Sequence, residues 1–216
     1  MKAPFSAWKE GAPYYVPQLL IGVVCLAALR HSGFAAFSIP FFITGAYTLS
    51  FFRDPRRVIT RDPDEIVCPA DGTIVGIEQM AKTPHYAGPC TRISIFLSVF
   101  NVHVNRTPFA GSVRDIQYKA GLFKNAMKAE TSNCNESNAL WLDTARGPMT
   151  VRQISGAIAR RIVCRAELGD TLAKGERFGM IKLGSRTELY LPPEVTVCVQ
   201  MKQKVRGGAT VVARFP

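Results

Sequence analysis

Two long apolar runs dominate the first 52 residues of the chain. The first, residues 14–29, is broken only by Pro17 and Gln18, and the second covers residues 34–52. At 1.5 Å per helical residue the second run spans about 28 Å and the first about 24 Å, against about 30 Å for the hydrocarbon core of a bilayer. We therefore predict a membrane-associated helical hairpin over residues 1–53, with the second run as the better span. A single span, or a hairpin lying in the membrane interface, is the alternative.

Basic residues flank these runs. The short link between them contains only Arg30, whereas two lysines precede the first run and four arginines follow the second: Lys2, Lys9, Arg53, Arg56, Arg57 and Arg61. Because short cytoplasmic segments are enriched in Lys and Arg, this distribution predicts a protein of the cell membrane with both ends of the hairpin, and the domain that follows, on the cytoplasmic side. A secretory signal peptide is not expected, since no small-residue cleavage site precedes a polar start.

The pattern changes after residues 54–65, which are rich in charge and proline and which we take as a domain boundary. Ten short segments rich in β-branched and apolar residues follow: 66–67, 73–77, 92–99, 112–118, 140–142, 149–154, 159–164, 177–182, 188–191 and 195–200. They predict a mainly β domain over residues 54–216, an antiparallel barrel or sandwich. Residues 120–138 lack this pattern, and we expect a loop there, with room for a helical turn.

The turns late in the domain suggest its architecture. The sequence pattern GD-x-x-x-KG-x-x-x-G, which begins at Gly169, resembles the turns of lipoyl and biotinyl carrier domains, so we expect a barrel-sandwich-hybrid-like fold. A membrane-anchored, carrier-like binding module without catalysis is therefore the alternative function. A carrier lysine is expected between two methionines, whereas Lys202 follows Met201 and precedes a glutamine. This difference disfavours the carrier alternative.

Charge and cysteine content narrow the range of partners. The formal net charge is +11, and a basic surface suits either nucleic acid or an anionic membrane. The apolar runs favour the anionic membrane surface and not nucleic acid, because juxtamembrane Lys and Arg each gain about 1 kcal/mol near anionic lipid. The six cysteines show no C-x-x-C spacing, so we expect reduced, buried thiols and neither a metal site nor disulfides.

The pair Gly184-Ser185 separates two hydrophobic segments near the C-terminus. Attack of the Ser185 hydroxyl on the Gly184 carbonyl would give an ester by an N-to-O acyl shift, and β-elimination with hydrolysis would then leave a pyruvoyl group. Glycine favours this approach because it has no Cβ. Gly-Ser is also an ordinary turn dipeptide, so the pair needs its context.

Four segments in a fixed order supply that context: FFRDPRR at 51–57, CPADGTIVGI at 68–77, FLSVFNVHVNRTP at 96–108 and LGSR at 183–186. With them, residues 51–193 resemble the short-form phosphatidylserine decarboxylases, which are pyruvoyl-dependent and self-processing. The resemblance implies a carboxy-lyase of phospholipid biosynthesis that converts phosphatidylserine to phosphatidylethanolamine and CO2. It also implies that the chain is made as a zymogen.

Autocatalytic cleavage between Gly184 and Ser185 is implied by the same resemblance. It would give a large chain, residues 1–184, and a small chain, residues 185–216, that stay together as a heterodimer. The cofactor would be the covalent pyruvoyl group derived from Ser185, which withdraws electrons from an amine substrate as pyridoxal phosphate does in other enzymes. Neither a metal nor pyridoxal phosphate is expected.

The resemblance further implies catalytic roles for Ser185, His103 and Asp71. His103 would protonate the carbanion left by CO2, and Asp71 would orient the base of self-cleavage. Without the resemblance they would be a structural strand histidine and the Asp of an Asp-Gly turn. Longer family members have H-x-x-H here, and its second histidine belongs to their self-cleavage triad. This chain has Arg106 at that position, so whether His103 or Arg106 covers the role stays open.

Overall fold

A computed structural model describes residues 5–125, 127, 132–157, 161–182 and 185–216. The chain divides into two compact units, a helical one of Ser6–Pro55 and one of Arg56–Pro216 that also includes Phe5. With 40% of its residues in strands and 21% in helices, the protein is mainly β. The predicted fold class is therefore confirmed.

The helical unit is an antiparallel pair. It consists of α1 (Ala7–Leu29), a short 3-10 helix (Ala35–Ser38) and α2 (Ile39–Phe51). In the middle of α1 the polar side chain of Gln18 accepts a hydrogen bond of 3.2 Å from the Thr48 hydroxyl of α2. Because Gly45 lacks a side chain, the two helices approach closely: a Cβ there would lie 2.7 Å from Leu19.

The first helix, rather than the second, has the length of a membrane span. Ala7–Leu29 has 23 residues and a mean hydropathy of 1.7, whereas Ala35–Phe51 is shorter, so the expectation that the second run spans better is wrong. The physical reason is that Pro13 and Pro17 lie inside α1 without ending it, as happens in apolar helices. The helix therefore begins well before the apolar run does.

The second unit is built from fourteen strands among the described residues, numbered β1 to β14 in chain order: Glu65–Val67, Gly72–Met80, Cys90–Leu97, Val104–Arg106, Gly111–Lys119, Ser137–Thr144, Gly147–Ser155, Arg161–Cys164, Thr171–Leu172, Arg177–Lys182, Ser185–Leu191, Thr196–Val197, Lys204–Val205 and Val211–Arg214. The turns on either side of β9 contain Gly169 and Gly175, whose φ angles of +83° and +75° lie in the left-handed region that glycine adopts without strain.

These strands form one large sheet and two small ones. The large sheet is antiparallel and curled, with the order β13-β2-β3-β11-β7-β6-β5-β9, and the small sheets have the orders β1-β14-β12 and β4-β10-β8. All three contribute to one hydrophobic core, exemplified by Leu189 of β11, Phe178 of β10 and Val212 of β14. Strand β11 thus lies in the middle of the large sheet, with its inner face against the core.

The cysteines agree only partly with expectation. All six are free thiols, and Cys68 and Cys90 are buried, but Cys198 is exposed, so the prediction of uniformly buried cysteines is wrong. Cys198 follows β12, a two-residue strand at the edge of a three-stranded sheet, where little of the chain covers it. Burial raises the pKa of Cys68 to about 12, so this thiol stays protonated and behaves as a small apolar side chain.

Candidate active site

Ser185 is the first residue of β11. It pairs with Leu97 of β3 on one side and with Ser155 of β7 on the other, and it is fully buried. Its hydroxyl makes no hydrogen bond to any described residue, although a buried polar group without a partner costs about 1–3 kcal/mol. A buried polar group without a partner is unusual in a native protein, and a role in a chemical reaction would explain it. Gly184, the other predicted residue of the cleavage site, lies outside the described residues.

A chain of four buried polar side chains crosses the core beside Ser185. Asn138 of β6 donates to Gln153 of β7 at 3.1 Å, and Gln153 donates to Asn105 of β4 at 2.9 Å. Asn105 then donates to the Thr187 hydroxyl of β11 at 3.1 Å. Because side chains alternate along a strand, Thr187 and Ser185 lie on the same face of β11. This polar chain fixes β4 against the beginning of β11.

His103 immediately precedes β4 and is fully buried. Its carbonyl accepts the backbone N–H of Ile181, which extends the pairing between β4 and β10 by one residue. Its ring Nδ1 lies 2.9 Å from the Asn101 carbonyl oxygen. Since a carbonyl can only accept, Nδ1 must donate, and in the neutral ring Nε2 is then the basic nitrogen.

The strand topology brings His103 and Ser185 to the same region. Asn105 and Thr187 contact each other directly, and two residues earlier on each strand come His103 and Ser185. Both steps lead toward the link between β10 and β11, because β4 runs antiparallel to β10. With a period of two, each step also keeps the side chain on the same side of its strand. His103 and Ser185 therefore lie on the same side of the contact between Asn105 and Thr187, each two residues before it along its own strand.

Asp71 lies at the same end of the large sheet as Ser185, but on another strand. It directly precedes β2, and β3 separates β2 from β11, so the two backbones are about 10 Å apart at the usual strand spacing. The Asp71 carboxylate accepts the Gly207 N–H at 2.7 Å and is paired with Arg57 at 2.8 Å. Each carboxylate oxygen thus has a described partner. Burial raises the pKa of Asp71, although Gly207, Arg57 and Arg106 each lower it.

The structure places Arg57 and Arg106 in surroundings that the sequence alone does not reveal. Arg57, grouped above with the membrane-flanking cations, is mostly buried against Asp71. Arg106 alternates with Asn105 along β4, and its guanidinium donates to the Gly175 carbonyl at 3.1 Å. Arg106 therefore lies on the opposite side of its strand from Asn105 and, by the same alternation, from His103.

A cavity of about 480 Å³ opens at this end of the sheet, a size typical of small-molecule sites. Its walls are Asp71, Gly72, Thr73, Ser98, Phe100, Asn101, Lys204, Val205 and Arg206. Ser98 directly follows the β3 partner of Ser185, and the Asn101 carbonyl holds His103. The cavity thus combines two cationic side chains and several hydroxyl or amide groups next to the predicted catalytic residues.

The last residues of the 120–138 loop also reach this region. Asn135 donates to the carbonyl of Ser155, and the Ser155 N–H donates to the carbonyl of Glu136. Ser155 is the β7 partner of Ser185. The end of the loop therefore packs one strand away from Ser185, whereas residues 126 and 128–131 lie outside the described residues.

The opposite face of β11 contains a buried ionic group that we call the arginine cluster: Arg92, Arg152, Arg186, Glu188 and Tyr190. Glu188 lies 3.2 Å from Arg186 and 3.3 Å from Arg152, and it accepts a 2.7 Å hydrogen bond from the Tyr190 hydroxyl. Burial alone would raise the pKa of Glu188, but the Tyr190 hydrogen bond and the arginine charges outweigh it and lower this pKa.

Sequence reasoning missed both the polar chain and the arginine cluster. Arg186, Glu188 and Tyr190 alternate with Thr187 and Leu189 in a short strand, a pattern that usually indicates one solvent-facing side. The signal that could have revealed the cluster is the matching pair of arginines, Arg92 and Arg152, on two other predicted strands. Among the described residues, no group of three or more His, Cys, Asp or Glu side chains is placed to hold a metal ion.

Comparison with known proteins agrees with the sequence motifs. A family model for phosphatidylserine decarboxylase matches residues 45–213. A curated relative from Carboxydothermus hydrogenoformans is 41% identical over 216 residues, covering 100% of this chain and 99% of its own. One from Citrifermentans bemidjiense is 43% identical and covers 96% and 95%, and one from Nitrosomonas eutropha is 41% identical and covers 96% and 94%. Each relative is named phosphatidylserine decarboxylase proenzyme. The chain therefore belongs to the phosphatidylserine decarboxylase family of carboxy-lyases.

Proposed function

We propose that this protein decarboxylates phosphatidylserine to phosphatidylethanolamine after cutting its own chain between Gly184 and Ser185. The activity rests on the nearly full-length similarity to proteins named phosphatidylserine decarboxylase proenzyme. The observation that supports the cut is the buried Ser185 hydroxyl, which has no hydrogen-bond partner among the described residues. A hydroxyl in that condition is ready to attack a neighbouring carbonyl instead of being held by a donor or acceptor.

The proposed self-cleavage uses only atoms of the chain and one water. The Ser185 oxygen attacks the Gly184 carbonyl, the peptide C–N bond breaks, and Gly184 is left as an ester on Ser185. A base removes the Cα proton of Ser185, and Gly184 departs as a carboxylate. Water then replaces the nitrogen of the resulting dehydroalanine, ammonia leaves, and residue 185 becomes a pyruvoyl group that begins the 32-residue small chain.

His103 is our candidate for the proton transfers. Its Nδ1 hydrogen bond to Asn101 leaves Nε2 as the basic nitrogen. His103 and Ser185 also each come two residues before the contact between Asn105 and Thr187, which supports this choice. Arg106, which stays charged and lies on the other side of its strand, is the weaker candidate for the role of the missing second histidine. Asp71 would act at longer range, since β3 separates the strand that follows it from β11.

Residue 185 fits the pyruvoyl group because the group is made from a side chain that is already buried and unpartnered. When formed, a pyruvoyl ketone withdraws electrons from a bound amine, as pyridoxal phosphate does in other enzymes. The 480 Å³ cavity beside it would take the lipid headgroup. Lys204 and Arg206 would bind its phosphate, and His103 would deliver a proton to the carbon that loses CO2.

We also propose that residues 1–53 attach the enzyme to the cell membrane and that residues 54–216 form the catalytic domain, facing the cytoplasm. Helix α1 is long and apolar enough to cross a bilayer. The arginines that follow α2 favour a cytoplasmic position for the catalytic domain. The partners are then phosphatidylserine in an anionic membrane surface and, after the cut, the two fragments of the chain as a heterodimer.

Intact mass spectrometry of the purified protein tests the proposal. Wild type should give two fragments, the smaller beginning with a pyruvoyl group at position 185, and should release CO2 from phosphatidylserine in mixed micelles. Ser185→Ala should remain one chain and be inactive. Ser94→Ala is the matched control, because Ser94 is another buried serine without a described hydrogen-bond partner, on the neighbouring strand β3. Wild type that stays a single unmodified chain would contradict the proposal.

A further inference from the structure

The arginine cluster connects β11 to both of its neighbours in the sheet. Glu188 lies opposite Arg152 of β7 and within 3.9 Å of Arg92 of β3, and it holds Arg186 of its own strand at 3.2 Å. The Arg186 side chain is 2% exposed and that of Glu188 is 0% exposed. Strands β7 and β11 are therefore joined by charges that have been removed from water, and Arg92 of β3, which is partly exposed and pairs with Glu78 at 2.6 Å, lies at the edge of this group.

Stability alone does not account for this arrangement. Buried ion pairs add little net stability, because the loss of hydration offsets their attraction, and apolar side chains of similar size are often as good or better. The inner face of the same strand is apolar where Leu189 and Leu191 enter the core. What buried charges add over apolar contacts is a requirement for one particular alignment of the strands.

The misalignment that these charges oppose is a shift of β11 by two residues relative to its neighbouring strands. A slip by one residue would turn Leu189 to the charged face and is opposed by the hydrophobic pattern. A slip by two keeps every side chain on its own face, so that pattern does not oppose it. It would, however, move Glu188 by about 7 Å along the sheet. Glu188 would then lose Arg152, and the buried guanidinium of Arg152 would be left without its carboxylate partner.

Such a slip becomes easier once the chain is cut next to this strand. Before the cut, β11 is covalently connected at both ends; afterwards residue 185 is a chain end and Arg186 is the first residue with an unmodified side chain. Resting on the proposed function, we propose that Arg152 of β7, through its 3.3 Å ion pair with Glu188 of β11, is a positioning residue that holds the small chain in register, so that the group made from Ser185 stays at the catalytic site.

The test compares Arg152→Met in two backgrounds, the self-cleaving wild type and the uncut Ser185→Ala. Methionine keeps much of the side-chain volume, and Glu188 still has Arg186 of its own strand and Tyr190 as partners. Amide hydrogen exchange of residues 186–191 is the readout, because residue 185 has no amide N–H once it is a pyruvoyl group. We expect exchange to become at least about 10-fold faster in the cut protein, with a change of less than about 3-fold in the uncut one. Cleavage itself should persist, because the uncut strand is held at both ends.

Two further variants sharpen the comparison. Arg152→Lys keeps the charge and should restore slow exchange in the cut protein; it also provides the same comparison if Arg152→Met does not fold. Arg114→Met is the control, because Arg114 is a strand arginine in an exposed ion pair with Asp143, on β5. Equal acceleration in both backgrounds would overturn this proposal alone. Wild type that is never cut would instead overturn the proposed function and, with it, this proposal.

Discussion

At the residue scale, the environment of His103 defines which of its nitrogens can act. The Asn101 carbonyl fixes the proton on Nδ1, and the backbone contact with Ile181 fixes the position of the residue beside β10. A histidine held in one tautomer is suited to repeated proton transfer through the other nitrogen. The proposed self-cleavage would occur once, whereas decarboxylation needs a proton in each cycle, so the two proposed steps would make different demands on this residue.

Replacement of His103 separates these steps. His103→Ala protein that still cleaves should contain the pyruvoyl group yet decarboxylate about 100-fold more slowly, the usual effect of losing a positioned acid or base. Pyruvoyl content is measured by mass spectrometry and turnover by CO2 release. His31→Ala, in the exposed link between the helices, is the control. Nearly normal turnover by processed His103→Ala would remove His103 from the mechanism and shift the role to Arg106, Asp71 or bound water.

Asp71 provides a prediction about pH. If its carboxylate takes part in self-cleavage, Asp71→Asn should slow the cut by about 100-fold. Burial raises the pKa of Asp71, whereas Arg57 lowers it. Arg57→Met removes that lowering effect, so the pKa should rise further and the acid limb of the cleavage profile should move to higher pH. The measurement is the rate of fragment formation against pH.

Arg146→Met is the control for this shift, because Arg146 is an exposed arginine paired with a different carboxylate, Asp64. An acid limb that stays in place in Arg57→Met, while Asp71→Asn still slows the cut, would mean that the ionisation of Asp71 does not set the profile.

At the scale of elements, the helical pair has an apolar surface and an internal polar contact. Gln18 meets Thr48, and Gly45 admits close packing with Leu19, while Leu20, Val24 and Ile43 remain exposed. In water such a surface is unfavourable, whereas in lipid it is satisfied. The helical pair is therefore the element that we expect to attach the protein to a membrane.

Deletion of residues 1–52 tests this role. The full chain should remain in the membrane fraction after washing with salt, because apolar contacts are not screened by ions, and the truncated chain should be released at moderate salt, where the binding of basic residues to anionic lipid weakens. Sedimentation and immunoblotting measure the distribution. A truncated chain that stays fully membrane-bound would show that another element is the main attachment.

The sequence predicted long elements better than short ones, for physical reasons. Strands such as Cys90–Leu97 have enough alternating residues to be recognised, whereas β9 and β13 have two residues each and no measurable period. Helix α1 begins earlier than predicted because its prolines and Lys9 conceal an otherwise continuous helix.

For the candidate site, the sequence pointed to Ser185, His103 and Asp71 as catalytic residues, and these roles remain predictions. It did not point to the buried polar residues Asn105, Gln153 and Glu188, since polar residues are normally assigned to the surface.

At the scale of the whole molecule, the proposed cut divides the strands between two interleaved chains. The small chain would contain β11 to β14, and the large chain all the others. Strand β11 lies between β3 and β7, β13 pairs with β2, and β14 lies between β1 and β12. The fragments therefore share two sheets and one core, so they should remain together under native conditions.

Urea unfolding distinguishes the cut from the uncut protein. For Ser185→Ala, unfolding is unimolecular and its midpoint should not depend on protein concentration. For the cut wild type, unfolding separates two chains, so its midpoint should rise with concentration by mass action. Tyrosine and tryptophan fluorescence follows the transition at several concentrations. A concentration-independent midpoint in fully cut protein would indicate that the small chain does not dissociate on unfolding.

Because β11 lies in the middle of the large sheet, the chain would have to fold before it is cut. A strand in the middle of a sheet is easily inserted while it belongs to the same chain, because its effective concentration near its neighbours is high. A separate 32-residue peptide would have to find the same gap by diffusion, with β3 and β7 free to close on each other or to aggregate. If the chain is cut as proposed, the uncut chain would be a folding template that can be used once. Each mature molecule would then keep its activity only until its first global unfolding, and lost activity would be replaced by new synthesis rather than by refolding.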